Sequence, residues 1–237
     1  WSDEFNGTAI DRTKWNFMIG TGSSEGLTNW GNNELEYYTD RTENARLENG
    51  NLVIEARQEA YGDRQYTSAR MVTQGLATWE YGKFEARVKL PYGQGIWPAF
   101  WMLGSTISSI GWPSCGEIDI MEIRGQNPFQ NVGTMHWADS AGNHASFGTT
   151  FNSSVSLAAG FHTYALSRTA TTIRWYIDGV QYHEANIAGG INSTQEFQGQ
   201  FFILLNCAVG GNFVGSPTAS TPFPQQLRVD YVRVWGQ

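Results

Sequence analysis

Three carboxylates fall within six residues in Cys115-Gly116-Glu117-Ile118-Asp119-Ile120-Met121-Glu122, inside an otherwise apolar stretch. The ordinary reading of such a run is an edge strand with one solvated acidic face. Two features argue against it. Ile118, Ile120, Met121 and Ile123 give the segment a hydrophobic second face, so it is expected to lie over a core. Strict alternation also aligns Glu117 with Asp119 but sends Glu122 to the core side, where an unpaired carboxylate is very costly. One extra residue, a β-bulge around Ile120-Met121, returns Glu122 to the face of the other two, and bulges are frequent beside active sites.

With the bulge the two glutamates stand four effective positions apart, roughly 13 Å along the backbone at ~3.3 Å per residue. Side chains leaning together over a curved sheet can bring the carboxyls to ~5–5.5 Å, the separation of a retaining glycosidase. That chemistry needs one carboxylate as nucleophile and one protonated acid with a raised pKa. Neighbouring negative charge supplies the rise, a role that suits Asp119. The spacing does not say which glutamate does which.

Elements able to position this strand recur along the whole chain, as period-two alternation without helix-length apolar periodicity. In Lys83 to Leu90 the apolar residues 84, 86, 88 and 90 share one face, and Pro91 ends the run. Leu52 to Arg57, Thr67 to Thr73 and Phe161 to Leu166 read as further strands. Ile173 to Ile177 and Val180 to His183 flank Asp178-Gly179, a type I′ hairpin signal. Arg228 to Trp235 is another strand, which allows both chain ends to pair. Residues 1–237 carry no internal repeat, linker or low-complexity tract, so one all-β domain is expected, a sandwich or jelly roll.

Composition narrows the partners. Fifteen Lys and Arg against 22 Asp and Glu give a net charge of −7, which argues against nucleic acid and sulfated polyanions. Aromatics make up 14% of the chain, including 10 Trp, and with 27 Gly they exclude a disordered or coiled-coil chain. No apolar run approaches the ~18 residues of a membrane span. The two cysteines, Cys115 and Cys207, form neither a disulfide framework nor a zinc signature. The opening Trp1-Ser2-Asp3, without an initiator Met, reads as a mature or trimmed product.

Gly116-Glu117-Ile118-Asp119-Ile120-Met121-Glu122 resembles the bulged signature of glycoside hydrolase family 16. Trp30-Gly31-Asn32-Asn33-Glu34-Leu35-Glu36-Tyr37-Tyr38-Thr39, Gly95 to Leu103 and Trp112-Pro113 resemble its bacterial laminarinase branch, the endo-β-1,3-glucanases. So do Asn206 to Asn212 and Asp230 to Trp235, so the likeness runs the length of the chain. The resemblance implies a β-jelly roll of two curved antiparallel sheets with a substrate cleft on the concave face. It also implies Glu117 as nucleophile, Glu122 as acid/base and Asp119 as assisting carboxylate. The substrate implied is a laminarin-like β-1,3-glucan, met by a secreted, monomeric enzyme. Mixed-linkage glucan, agarose or carrageenan are the same-family alternatives, and a non-catalytic glucan-binding jelly roll is the alternative outside catalysis. Sugar binding alone has no need of two glutamates at the bulged spacing.

A glucan cleft needs aromatic platforms with hydrogen-bonding groups between them. Trp97, Trp101 and Trp112 precede the acidic strand and are the first candidates, while Trp15, Trp79, Trp175 and Trp235 read as ordinary packing. Asn32, Arg70, His136 and Asn206 match substrate-contacting positions of relatives. For Arg70 the alternative is an ion pair with Glu34, and for Asn206 a satisfied buried amide. Glu34 and Glu36 are expected to give hydrogen bonds near the cleft wall. No cofactor is expected for catalysis. The resemblance does imply a structural Ca²⁺ at Glu4, Gly50 and Asp230, where backbone carbonyls and one Asp provide hard oxygen ligands. Phe213 stands where laminarinases often have Trp, and Cys207 stands in an aliphatic position, with proximity to Cys115 an open question.

Overall fold

The alternation at Lys83–Leu90 produces the strand Gly82–Lys89 in the computed structural model, which describes residues 1–236. Phe84, Ala86 and Val88 point inward and are fully buried, while the intervening side chains face out. Among the described residues, strands of this kind build two sheets that share one core. The ten-stranded sheet runs Val180–Asn186, Thr172–Ile177, Phe161–Arg168, Gly82–Lys89, Gln225–Trp235, Asn51–Tyr61, Arg64–Ser68 and Glu36–Tyr38, with Ser2–Asp3 and Ala45–Glu48 attached at its flanks. The seven-stranded sheet runs His144–Asn152, Gln130–Ala138, Glu117–Glu122, Ile96–Gly104, Phe201–Val209, Arg70–Val72 and Asn16–Phe17. Pairing is antiparallel except between Glu36–Tyr38 and Arg64–Ser68, which run parallel.

The chain ends close on each other as the sequence suggests. Ser2 and Asp3 pair with Arg233 and Val232, and the Trp1 ammonium donates to the Val234 carbonyl at 3.1 Å. The Asp178-Gly179 hairpin also forms, with φ of 48° and 78° at its two central residues.

Three expectations are corrected. Thr67–Thr73 is not one strand: Arg64–Ser68 belongs to the larger sheet and Arg70–Val72 to the smaller, so the chain changes sheets at Ala69. Every residue from 67 to 73 is buried, a pattern that a strand exposed on one face does not give. Trp235 is 45% exposed instead of packed inside, with the Lys83 ammonium 5.0 Å from its ring. Cys115 and Cys207 are buried free thiols in different apolar clusters.

Candidate active site

The bulge forms where the alternation conflict requires it. Asp119 opposes Trp101 and Met121 opposes Phe100, leaving Ile120 without a partner across the strand pair. Ile118, Ile120 and Met121 are buried in the core, and Glu117, Asp119 and Glu122 turn to the opposite face. The driving force is the burial of three large apolar side chains, each worth ~1.5–3 kcal/mol, without dragging a carboxylate in with them.

Register then lays out the rest of the site, because directly opposed residues share a face. Glu117 stands between Leu103 and His136, and Asp119 between Trp101 and Thr134. Glu122 stands between Ala99 and Val132, and the row continues through Asn206 to Arg70. Of the residues chosen from sequence, Asp119, Arg70 and Asn206 are buried, Trp97, Trp101 and His136 are half-buried, and Trp112 and Asn32 are exposed.

Each glutamate is held by an indole. Trp112 Nε1 donates to Glu117 Oε2 at 3.0 Å, and Trp97 Nε1 donates to Glu122 Oε1 at 3.0 Å. Asp119 is different. Its Oδ2 accepts no hydrogen bond and lies 3.1 Å from His136 Nε2, a close pair out of line for one. Burial, with the charge of Asp119 adding to it, pushes the Glu122 carboxyl up to about 8. Burial first, then Asp119, raises Glu117 too, against the opposing effects of His136 and Trp112. Burial alone raises Asp119. Three carboxyls this close cannot all ionise, and the one without donors is the poorest place for a charge. Asp119 therefore keeps its proton longest.

Arg70 and Asn206 take the structural roles that their alternatives describe. Arg70 Nη2 lies 3.2 Å from Glu34 Oε2, and its guanidinium packs over the rings of Trp30 and Tyr38 at 4.4 and 4.8 Å. Asn206 accepts from Trp101 Nε1 at 2.7 Å and donates to the Tyr38 hydroxyl at 3.1 Å, which itself donates to Glu34. Asn32 Nδ2 reaches Glu34 Oε1 at 3.4 Å. Glu34 and Glu36 are thus buried network members behind the Trp101 indole and not part of an exposed wall.

Two features escape the sequence reading. Phe213 stacks on Trp97 with ring centroids 5.1 Å apart, and the Arg124 guanidinium covers its other side at 3.8 Å. The aromatic at 213 was visible, but its contact with Trp97 depends on two distant segments meeting. His144, which approaches His136, had no signal beyond being a histidine on a strand.

The positions named for calcium converge at one end of the larger sheet. Asp230 is the extra residue at a register shift between Val229 and Tyr231, and Gly50 follows Asn49 in the turn into Asn51–Tyr61, which pairs with the same strand. Glu4 follows the Ser2–Asp3 strand paired alongside. The Glu4 carboxylate is bound by Arg233 at 2.8–3.0 Å, and Asp230 Oδ2 by Arg87 at 2.7 Å. What fits a hard cation here is therefore carbonyl oxygen from Glu4 and Gly50 with the second oxygen of Asp230. Among the described residues, the one cluster of three ligand-type side chains within 4.8 Å is Glu117, Asp119 and His136.

Residues 28–200 match the family model described as glycosyl hydrolases family 16. The chain is 41% identical over 99% of its length to a glucan endo-1,3-beta-glucosidase of Cryptopygus antarcticus, covering 90% of that protein. It is 42% identical, again over 99% of its length, to the clotting factor G alpha subunit of Tachypleus tridentatus, of which it spans only 33%. Its structure is similar to the laminarinase catalytic domain from Thermotoga maritima, with a TM-score of 0.92 and 44% identity, covering 100% of this chain and 97% of that one.

Proposed function

The chain belongs to glycosyl hydrolases family 16, and on that premise we propose that it is an endo-acting β-1,3-glucanase that cleaves laminarin-like glucans with retention of configuration. The observation that carries this reading is the bulge at Ile120. It turns two indole-held glutamates and one donor-free aspartic acid to a single face beside Trp97, Trp101 and Trp112.

In the first step Glu117 attacks the anomeric carbon while protonated Glu122 gives its proton to the leaving oxygen. A pKa near 8 keeps Glu122 protonated in neutral solution, as a general acid requires. Once ionised, Glu122 takes a proton from water, and that water releases the sugar from Glu117. Neutral Asp119 adds no second negative charge beside the nucleophile, and the Trp112 N–H favours the ionised form of Glu117. The indole faces supply apolar platforms for sugar rings. Arg70 and Asn206 act by fixing Trp101 from behind.

A polysaccharide substrate of this kind is met outside the cell, so the reading carries a secreted enzyme, acting as a monomer. It also carries a structural Ca²⁺ on the carbonyls of Glu4 and Gly50 and the Asp230 carboxylate. Such an ion would tie the chain start to the last strand and take no part in the reaction. Time-resolved proton NMR of laminarin digestion tests the function. New β-anomeric ends that equilibrate later are expected. First appearance of the α-anomer refutes retention, and intact laminarin refutes the substrate.

A further inference from the structure

His144 begins the edge strand His144–Asn152, two strands away from the acidic one. His144 opposes Ala138 while His136 opposes Ser146, so the two imidazoles share a face and meet diagonally. Their rings stack at 5.1 Å, and His136 Nδ1 lies 2.9 Å from His144 Nε2. The other nitrogen of His136 is the one 3.1 Å from the donor-free Oδ2 of Asp119. His144 also packs against Trp112 at 4.7 Å, the indole that donates to Glu117. One exposed ring thus touches a partner of each of two buried carboxyls, and nothing in the mechanism above uses it.

We propose that His144 is a positioning residue that acts through His136 to set the charge of Asp119, connecting that buried carboxyl to solvent. The inference rests on the reading of Glu117, Asp119 and Glu122 as a glycosidase cluster. A small rotation of the His136 ring brings its Nε2 into line with Asp119 Oδ2. The Oδ2–H bond then breaks as an Nε2–H bond forms. In the same movement the proton on His136 Nδ1 passes to Nε2 of His144, whose Nδ1 already carries one. His136 ends neutral in its other tautomer, Asp119 becomes a carboxylate and His144 an imidazolium, so charge and protons balance. Burial and the charge of His136 hold His144 below the usual imidazole range while burial raises Asp119, which draws the two titrations together.

The ionisable groups facing this relay are few. Glu117 and Glu122 flank Asp119 on its own strand, with Arg124 acting on Glu122, and Tyr182 from the larger sheet lies behind Asp119. Asp139, in the same hairpin as His144, is occupied by the backbone N–H groups of Ala141 and Asn143.

The test compares pH profiles of kcat/KM on laminarin for the wild type, His144→Gln and His144→Phe. Glutamine keeps a hydrogen-bonding group and phenylalanine keeps the ring packing on Trp112, but neither accepts the proton. The acid limb, which reports ionisation of Glu117, is expected to move up by about one pH unit in both, the size of a unit charge lost across a partly desolvated gap. A fall in kcat with the limb unmoved, or a limb that moves in only one variant, overturns the proposal. Histidine side-chain NMR gives a readout independent of activity. The His144 midpoint is expected to fall in Asp119→Asn, and an unchanged midpoint overturns the relay. Wild-type protein that leaves laminarin intact would instead refute the glycosidase reading, while the NMR titration still decides the relay.

Discussion

Deleting Ile120 should leave the catalytic spacing in place. The glutamates are five chain positions apart, but they oppose Leu103 and Ala99, which are only four apart on the partner strand. Removing the unpaired residue makes the strand regular, and Met121 alone then faces the core between Asp119 and Glu122. Both glutamates remain opposite the same partners, still roughly 13 Å apart along the sheet. The deletion does empty the space of a side chain that is 1% exposed. Large-to-small core changes of that size cost about 2–5 kcal/mol, which lowers Tm by about 4–20 °C in a domain of this length. Reducing-sugar release from laminarin and a thermal melt measure the two effects. Activity should stay within about 100-fold of wild type, the penalty of a ~1 Å misplacement. Inserting an alanine between Ile120 and Met121 should instead turn Glu122 into the core and match the loss in Glu122→Gln, about 10²–10⁴-fold. A deletion variant that folds, melts within the stated range and is as inactive as Glu122→Gln would refute the argument that the partner strand sets the spacing.

Trp97→Phe removes the N–H that favours ionised Glu122, so the folded pKa of that carboxyl rises. The alkaline limb of kcat/KM should move upward by about half a pH unit or more, an effect of one hydrogen bond to a charged group. An alkaline limb that stays put or falls contradicts this. On the larger sheet, Glu55 binds Arg46 at 2.8 Å and also Arg57, and these partners lower its carboxyl against the effect of burial. A depressed folded pKa gives stability that is present above the unfolded value, near 4.3–4.5, and is lost as pH falls through the folded one. Glu55→Gln should therefore lower Tm at pH 7 and leave it close to wild type at pH 3, as differential scanning calorimetry can read. An equal loss at both values would mean that packing, not charge, is at stake. Removing divalent metal with a chelator should lower Tm at unchanged initial rate on laminarin at 25 °C. An unchanged Tm, with no calcium found in the purified protein by elemental analysis, would dismiss the ion.

The sequence by itself determined the face of each residue along a strand. Alternation is local, and so Phe84, Ala86 and Val88 could be assigned to the core without knowing what they pack against. The bulge was legible for the same reason, since a carboxylate at Glu122 and apolar groups at Ile120 and Met121 cannot share a face cheaply. The Asp178-Gly179 hairpin followed from the left-handed backbone that such a turn requires. Tertiary structure alone decided which rows of the sheet meet. That Arg70, Asn206, Ala99 and Glu122 form one row depends on register between strands up to 136 positions apart, fixed by loops and core packing that no local pattern encodes. The same is true of the break at Ala69, where full burial hides the phase, and of the parallel pairing of Glu36–Tyr38. It is also why Trp97 and Trp112 could be chosen from sequence as sugar platforms but not as the donors that hold Glu122 and Glu117. A side chain's type limits the bonds it can make, and only the meeting of distant segments selects which of them it makes.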